Sequence, residues 1–522
     1  YWDRVETEPG EFDWSAYDQL VQADMAHGLR TNAILLGAPG FYRDAATIAN
    51  LYEPIYADGS DTPAPNKEIN PDNPWARFVY EAADRYRPGG TIGWLSNWQP
   101  DEGIRVWEVW NEPDFSQFWQ GGAGDYTRML KIAYLVIHQL DPGATVMLGG
   151  LLYPTQDNWL ARVLNIVIND PFHEPNNWYM DAIAVHSYGS AWRSGWLTLY
   201  VRQTLVEYNL QRPIWLNESG VAAWDDYPGP TWTANNPAAR QSLATMEQQA
   251  YFFIQSTAYA WAEGAQVVFY HQLYDDCGDQ PPGTNPPPND GEVFGHAFGM
   301  YRNTRDSVCF SQHDEPGSQR PVAKAFGMMA LVFDEVPFSR RGVIEESDNG
   351  VVAITFLRPT TNERIVVLWN TRRQPVTIEY PAESDTATLL ALDNDATIRA
   401  VNGEYRLTLD AATTPSQRFS GSGGAIDIGG APIILIEALG ESAAEALSGR
   451  TFENVPTPVP DATPVPQATL SAGEIEALTA ESPTGVAFTS RNVSRLRTAP
   501  NTTTSRVVGT IPIGSSASVV GR

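Results

Sequence analysis

The sequence predicts an α/β fold, a parallel (β/α)8 TIM barrel followed by a β-sandwich, and two patterns in its 522 residues carry that reading. Short apolar runs of strand length alternate with longer amphipathic stretches from residue 31 to residue 333, the rhythm of parallel strands joined by crossover helices. Polar residues also collect behind many of the apolar runs, at Asn111-Glu112, His186-Ser187-Tyr188, Asn217-Glu218 and Tyr270-His271. A parallel barrel keeps its chemistry at that end of its strands, whereas a doubly wound open sheet, the structural alternative, gathers it at a switch point.

Taken in order, the stretch from Trp2 to Phe12 is polar and turn-rich, and Ser15 then caps a helix with Leu20, Val21 and Met25 on one face, stopped near Gly28. The spacing predicts a strand over Thr31 to Leu36, a loop-like segment to Asn73 and a helix from Pro74 to Tyr86. The run Ile104 to Pro113 is a β-prone apolar segment that ends in an amide, a carboxylate and a proline, so it delivers Asn111 and Glu112 to the end of a buried strand. A helix from about Asp125 to Leu140 is stopped by Pro142-Gly143, and the strand Thr145 to Leu148 and a helix near Trp159 to Ile168 follow. Next come the strand Ala182 to His186, a helix around Leu197 to Tyr208, and the run Arg212 to Ala222, whose strand ends in Asn217-Glu218. A helix from about Pro237 to Glu263, the strand Gln266 to His271 and a helix from about Pro321 to Phe333 complete the series. These are about six strands where a closed barrel needs eight, so about two strands are expected upstream of Tyr1 and the barrel is read as N-terminally truncated.

From about Val336 the pattern changes to short alternating strands, over Val351 to Leu357, Arg364 to Trp369, Val376 to Tyr380, Ala387 to Leu392, Tyr405 to Leu409 and Ile433 to Ile436. With turns at Asp393-Asn394 and Asn402-Gly403, this is a β-sandwich, structural or sugar-binding. Thr451 to Thr469 is rich in Pro, Thr and Ala and has no packable core, so it is an extended linker. The domain reading is thus 1–335 for the barrel, 336–440 for the sandwich, 441–480 for the linker and 481–522 for a last small β module.

Composition narrows the function. A net charge of -28 and a pI near 4.5 repel polyanions and argue against nucleic acid as a partner. The 17 Trp and 22 Tyr suit stacking on sugars, although any one of them is first read as core. No apolar run has the length of a membrane span, and Tyr1-Trp2-Asp3-Arg4 does not open a signal peptide, so no location is read from the N-terminus. Cys277 and Cys309 flank a loop rich in Pro, Gly and Asp and are either a disulfide or two free thiols. Asp275, Asp276, Asp279 and Asp290 fit no calcium-loop spacing and are read as solvated acids. No Gly-rich phosphate cradle follows a strand and no Ser-His-Asp set is discernible, so neither a metal nor a cofactor is expected.

Two strand-end glutamates remain as the chemical signal. Cleavage of a glycosidic bond with retention needs one carboxylic acid to protonate the leaving oxygen and one carboxylate to attack the anomeric carbon. Glu112 and Glu218 have the right type and setting; taken singly, either is equally a structural ion pair or a solvated loop acid.

Trp110-Asn111-Glu112-Pro113 resembles the Asn-Glu-Pro signature of retaining glycoside hydrolases of clan A. The following Asp114 to Gly121, with Phe118-Trp119, resembles family 39, the β-xylosidase and α-iduronidase family. His186-Ser187-Tyr188 is similar to that family's His-x-Tyr, Leu216-Asn217-Glu218 to its nucleophile strand, and Val268-Phe269-Tyr270 to its last strand. The resemblance covers about residues 1 to 335, extends to the sandwich, and makes Thr31 to Leu36 the third strand of the barrel. It implies that Glu112 is the general acid/base and Glu218 the nucleophile, that Asn111 binds the hydroxyl beside the anomeric carbon, and that His186 and Tyr188 line the sugar site, with Tyr188 orienting Glu218. Trp119 and Tyr270 are, on the same basis, sugar platforms or core packing. The sequence departs from the family at Asn217, where Thr is usual, and at Tyr270, where Trp is common.

Val486 to Arg522 resembles the opening strands of a bacterial SH3-like domain, with Ser494 where the family has Arg. That resemblance implies an exported bacterial protein, extracellular or associated with the cell wall. The expected function is a retaining glycosidase acting on a plant or microbial oligo- or polysaccharide. The alternative is a non-catalytic carbohydrate-binding or cell-wall-associated protein on a barrel scaffold.

Overall fold

Strands buried on both faces must be apolar nearly throughout, and the runs that carry the site fold in that way. The computed structural model describes residues 1–44, 46–155, 157–223, 225–226, 243–275, 297–305, 315–334, 342–412 and 427–440, and strands at 486–489, 494–497, 507–511 and 516–519. It divides into two compact units, Tyr1–His186 with Leu210–Trp215, and Ser187–Asn209 with Leu216–Arg522.

In the first unit, β1 (Asn32–Leu35), β2 (Val106–Val109), β3 (Thr145–Leu151) and β4 (Ala182–Tyr188) pair in that order, all parallel, with Asn32 opposite Val106 and Val106 opposite Thr145. The first residues of β5 (Ile214–Gly220) lie beside β4, where the Ile183 N–H donates to Pro213 O at 2.9 Å. β4 and β5 run on into the second unit, in which the Phe269 and His271 N–H groups donate to Leu216 O at 2.7 Å and Ser219 O at 2.8 Å, beside β6 (Val267–Val268). The α/β class is therefore that of a parallel sheet flanked by helices, and its six strands among the described residues coincide with the six predicted segments, of which β1, β2 and β6 are shorter and β3, β4 and β5 run two or three residues further.

The crossover helices form where amphipathic spacing and a capping side chain coincide. Pro74–Tyr86 has the predicted bounds; Asn73 Oδ1 accepts the Ala76 N–H at 3.0 Å, Pro74 needs no N–H at the first turn, and Trp75, Phe78, Val79, Ala82, Ala83 and Tyr86 are buried. Trp159–Val167 repeats the device, with the Ala161 N–H donating to Asn158 Oδ1 at 3.1 Å. In the second unit, Thr245 and Gln248 form a reciprocal capping box before the helix Met246–Ala262. The predicted start of that helix near Pro237 falls within 227–242, outside the described residues. The helix Ser15–Ala26 buries Val21 alone, and Leu20, expected on its apolar face, is 61% exposed. The stretch before it, read as turns, folds as the short helix Trp2–Val5 and a hairpin over Glu6–Glu8 and Glu11–Phe12.

The second unit also contains an antiparallel sheet in the order Val343–Glu346, Val351–Arg358, Glu363–Asn370, Ile433–Ala438, Thr386–Ala391, Asn394–Arg399, covered on one face by the pair Val376–Pro381 and Glu404–Leu409. Strand alternation sends Val351, Ala353, Val366 and Leu368 toward Tyr405, Leu407 and Leu409. Their neighbours Val352, Ile354, Phe356, Ile365, Val367 and Trp369 face the helices Met246–Ala262 and Pro321–Val332. Asn402 and Gly403 have φ of 55° and 81°, the pair of positive values that a tight hairpin turn requires.

Beyond residue 440, the segment Val486–Thr489 pairs antiparallel with Ser516–Val519, and Ser494–Arg497 with Val507–Ile511. The predicted linker at 441–480, Cys277, Cys309, Asp276, Asp279 and Asp290 lie outside the described residues. Among the described residues, no helix is long and apolar enough to cross a membrane.

Candidate active site

In the first unit the chain leaves β2 through a loop that few side-chain-bearing residues adopt, since Trp110 and Glu112 have φ of 68° and 42°. Neighbours hold that shape. The Trp110 N–H donates to Leu35 O at 3.0 Å, its indole N–H donates to Phe118 O at 3.0 Å, and the Phe115 N–H closes on Glu112 O at 2.9 Å. A Cβ on Gly149 would collide with the carbonyls of Val109 and Trp110, so β3 can approach this closely only with glycine there.

Glu112 is 5% exposed, and its Oε1 lies 2.9 Å from Nδ1 of His186, a fully buried residue near the end of β4. The bond between a carboxyl and an imidazole nitrogen holds with the proton on either partner, which suits a group that gives up a proton and takes one back. A Cβ on Gly150 would overlap the His186 ring, and this second glycine on β3 makes room for the imidazole. Two further carboxylates surround the loop. Glu108, fully buried on β2, accepts from Asn32 Nδ2 at 2.9 Å and from the Gly150 N–H at 2.8 Å. Asp114 accepts the Leu152 N–H at 3.1 Å and the Tyr153 N–H at 2.6 Å; burial pushes its carboxyl up to about 6 against the pull of those bonds, and the charge of Glu112 adds to the rise.

In the second unit Glu218 stands within β5, which continues to Gly220 instead of ending at Asn217-Glu218 as the sequence suggests. The Tyr188 hydroxyl donates to Glu218 Oε1, and His271 Nδ1 lies 3.4 Å from the same oxygen. The rings around it interlock edge to face, His271 with Tyr188 at 5.8 Å and with Phe298 at 5.2 Å between centroids. The Glu218 side chain keeps 22% of its surface open to solvent, compared with 7% for that of Glu112.

The structure thus brings His186 to Glu112 in one unit and Tyr188 to Glu218 in the other. Asn111 is half-buried at the exit of β2. The two aromatic candidates are buried among other rings. Trp119 is 4% exposed, stands edge-on to Trp110 and donates its indole N–H to Gly122 O at 3.2 Å. Tyr270 is 8% exposed, packs edge-on against Phe253 and donates to Phe298 O at 2.8 Å. Sequence reasoning passed over Glu108, Asp114, His271 and Phe298. His271 was visible beside Tyr270, at the polar end of the last predicted strand.

Asp275, read as a solvated acid, is instead 6% exposed and paired with Arg320 at 2.6 Å. Arg320 also bonds Asp226 at 2.6 Å, and Arg302 reaches Asp226 at 2.9 Å, so two carboxylates and two guanidiniums neutralise one another inside the second unit. This cluster is structural.

No family model matches the chain, and no curated protein matches it. Among solved structures it is similar to a glucosidase from Croceicoccus marinus, with 12% identity over 83% of this chain and 84% of that one and a TM-score of 0.47. It is also similar to a GH30 endoxylanase from Clostridium papyrosolvens C71, with 12% identity, 82% and 84% coverage and a TM-score of 0.45. A GH39 β-xylosidase from Caulobacter crescentus matches with 14% identity, 84% and 86% coverage and a TM-score of 0.44.

Proposed function

We propose that the chain is a retaining O-glycosyl hydrolase of clan A, closest to family 39, acting on a plant or microbial oligo- or polysaccharide by double displacement. The observation that carries the reading is the distinct hold on two glutamates, one in the loop after β2 and one within β5: Glu112 on the His186 imidazole and Glu218 under the Tyr188 hydroxyl. Glu218 attacks the anomeric carbon while Glu112 gives its proton to the departing oxygen, leaving a glycosyl ester on Glu218. Glu112 then takes a proton from water, the water oxygen bonds to the anomeric carbon, and the ester bond breaks. The reading requires the two carboxyl groups to flank one anomeric carbon about 5 to 5.5 Å apart in a closed barrel. Tyr188 fixes Glu218 in line for attack, and Asn111 binds the hydroxyl beside the reacting carbon, where a contact that tightens in the transition state accelerates the reaction. The linker and the SH3-like resemblance add an extracellular or cell-wall-associated location to the proposal.

Hydrolysis of a panel of aryl β-glycosides by wild type and by Glu218→Ala, each with and without azide, tests it. The expected result is activity in wild type, loss in the variant, and rescue by azide with formation of a glycosyl azide of inverted configuration. A wild type that binds oligosaccharides and cleaves none would favour the carbohydrate-binding alternative.

A further inference from the structure

Asp114 is a carboxylate two residues beyond Glu112 to which double displacement gives no task. Its two oxygens take the N–H groups of consecutive residues, Leu152 at 3.1 Å and Tyr153 at 2.6 Å. Those residues follow directly on β3, so the two bonds tie the loop after β2 to the loop after β3. The loops joined in this way are ones that do not hold their shape unaided. Trp110, Glu112 and Tyr153 all have positive φ, of 68°, 42° and 48°. Each such residue is held in a sparsely populated backbone conformation, which persists where surrounding contacts over-determine it.

We propose that Asp114 is a positioning residue, whose grip on the Leu152 and Tyr153 N–H groups holds the loop from Trp110 to Phe115 in the conformation that sets Glu112 against His186 and toward the leaving oxygen. The proposal rests on Glu112 being the general acid. An oxygen is required on both sides at position 114 because each of them faces an N–H donor. An asparagine there turns its NH2 group against one of the donors, and that side of the grip is lost.

The test compares wild type, Glu112→Gln, Asp114→Asn and Asp114→Glu on the dinitrophenyl and methyl glycosides of the sugar cleaved best in the aryl panel, reading kcat/KM, which reports the first chemical step. Dinitrophenolate leaves without a proton, whereas methanol cannot, so only the methyl glycoside needs a well-placed acid. Both Glu112→Gln and Asp114→Asn are expected to lose about 10²-fold on the methyl glycoside and to stay within about threefold of wild type on the dinitrophenyl one. Asp114→Glu keeps the charge and displaces it by one methylene; it is expected to show the same asymmetry at about tenfold, and it carries the test should Asp114→Asn not fold. Equal losses on the two substrates, or none, in the Asp114 variants would overturn the proposal while Glu112→Gln retains its asymmetry. If Glu112→Gln shows no asymmetry, it is the assignment of the acid that fails.

Discussion

At the scale of single residues, the chemistry depends on groups that hold the two glutamates as much as on the glutamates. Tyr188→Phe removes the hydroxyl that donates to Glu218 and keeps the ring against His271 and Phe298. A hydrogen bond to a charged group contributes about 2 kcal/mol, so steady-state kinetics should show roughly a thirtyfold fall in kcat/KM where that bond holds Glu218 in line for attack. Gly150→Ala drives a Cβ into the His186 ring, and displacing that imidazole displaces its partner Glu112; about 10²-fold loss of activity is expected in the same assay.

Asp114 adds a pH dependence to stability. Its carboxyl is raised to about 6 in the folded chain from an ordinary 3.8, so between those values the folded state binds more protons than the unfolded state. Stability contributed by the protonated form is fully present below the ordinary value and is lost as the pH rises toward 6, by up to about 3 kcal/mol. Urea titrations from pH 4 to pH 7 check this. Relative to wild type, Asp114→Asn should lose most stability at the acid end and least at pH 7, and a constant difference across the range would contradict it.

At the scale of elements, the sequence reveals periodicity well and local backbone exceptions poorly. The strands and the helix Pro74–Tyr86 were legible because apolar runs, amphipathic spacing and an Asn-Pro start coincide there. The left-handed turns at Trp110 and Glu112 have no such mark, because neither residue type favours them and tertiary contacts impose them. Glu112 and His186 were legible as chemistry-bearing types at strand ends, but their mutual bond depends on two glycines of β3 whose purpose appears only in three dimensions. The resemblance pointed to Tyr270, which lies in the core, while its neighbour His271 faces Glu218. The acidic loop likewise concealed a buried ion cluster, which has a consequence for stability. Arg320→Met leaves Asp226 and Asp275 with one guanidinium between them, and chemical denaturation should show a loss of about 3–5 kcal/mol.

At the scale of the whole molecule, the β-sandwich in the second unit is more than an appendage in sequence. One face of its larger sheet forms a common core with the helices Met246–Ala262 and Pro321–Val332, and Trp369 is the largest fully buried side chain there, edge-on to Tyr259 at 5.2 Å. Trp369→Ala should cost about 3–5 kcal/mol and lower the single thermal transition of helix and strand signals together. Two separate transitions would show that sandwich and helices unfold independently.

Double displacement passes through a covalent bond between Glu218 and the sugar, and that bond can be trapped. A dinitrophenyl glycoside with fluorine at the carbon beside the anomeric centre slows both steps, but its good leaving group lets the first outrun the second, so the glycosyl-enzyme accumulates. Mass spectrometry of the digested protein should then find one glycosyl unit on the peptide that contains Glu218. A label on another residue, or substrate turnover with inversion at the anomeric carbon, would contradict the account.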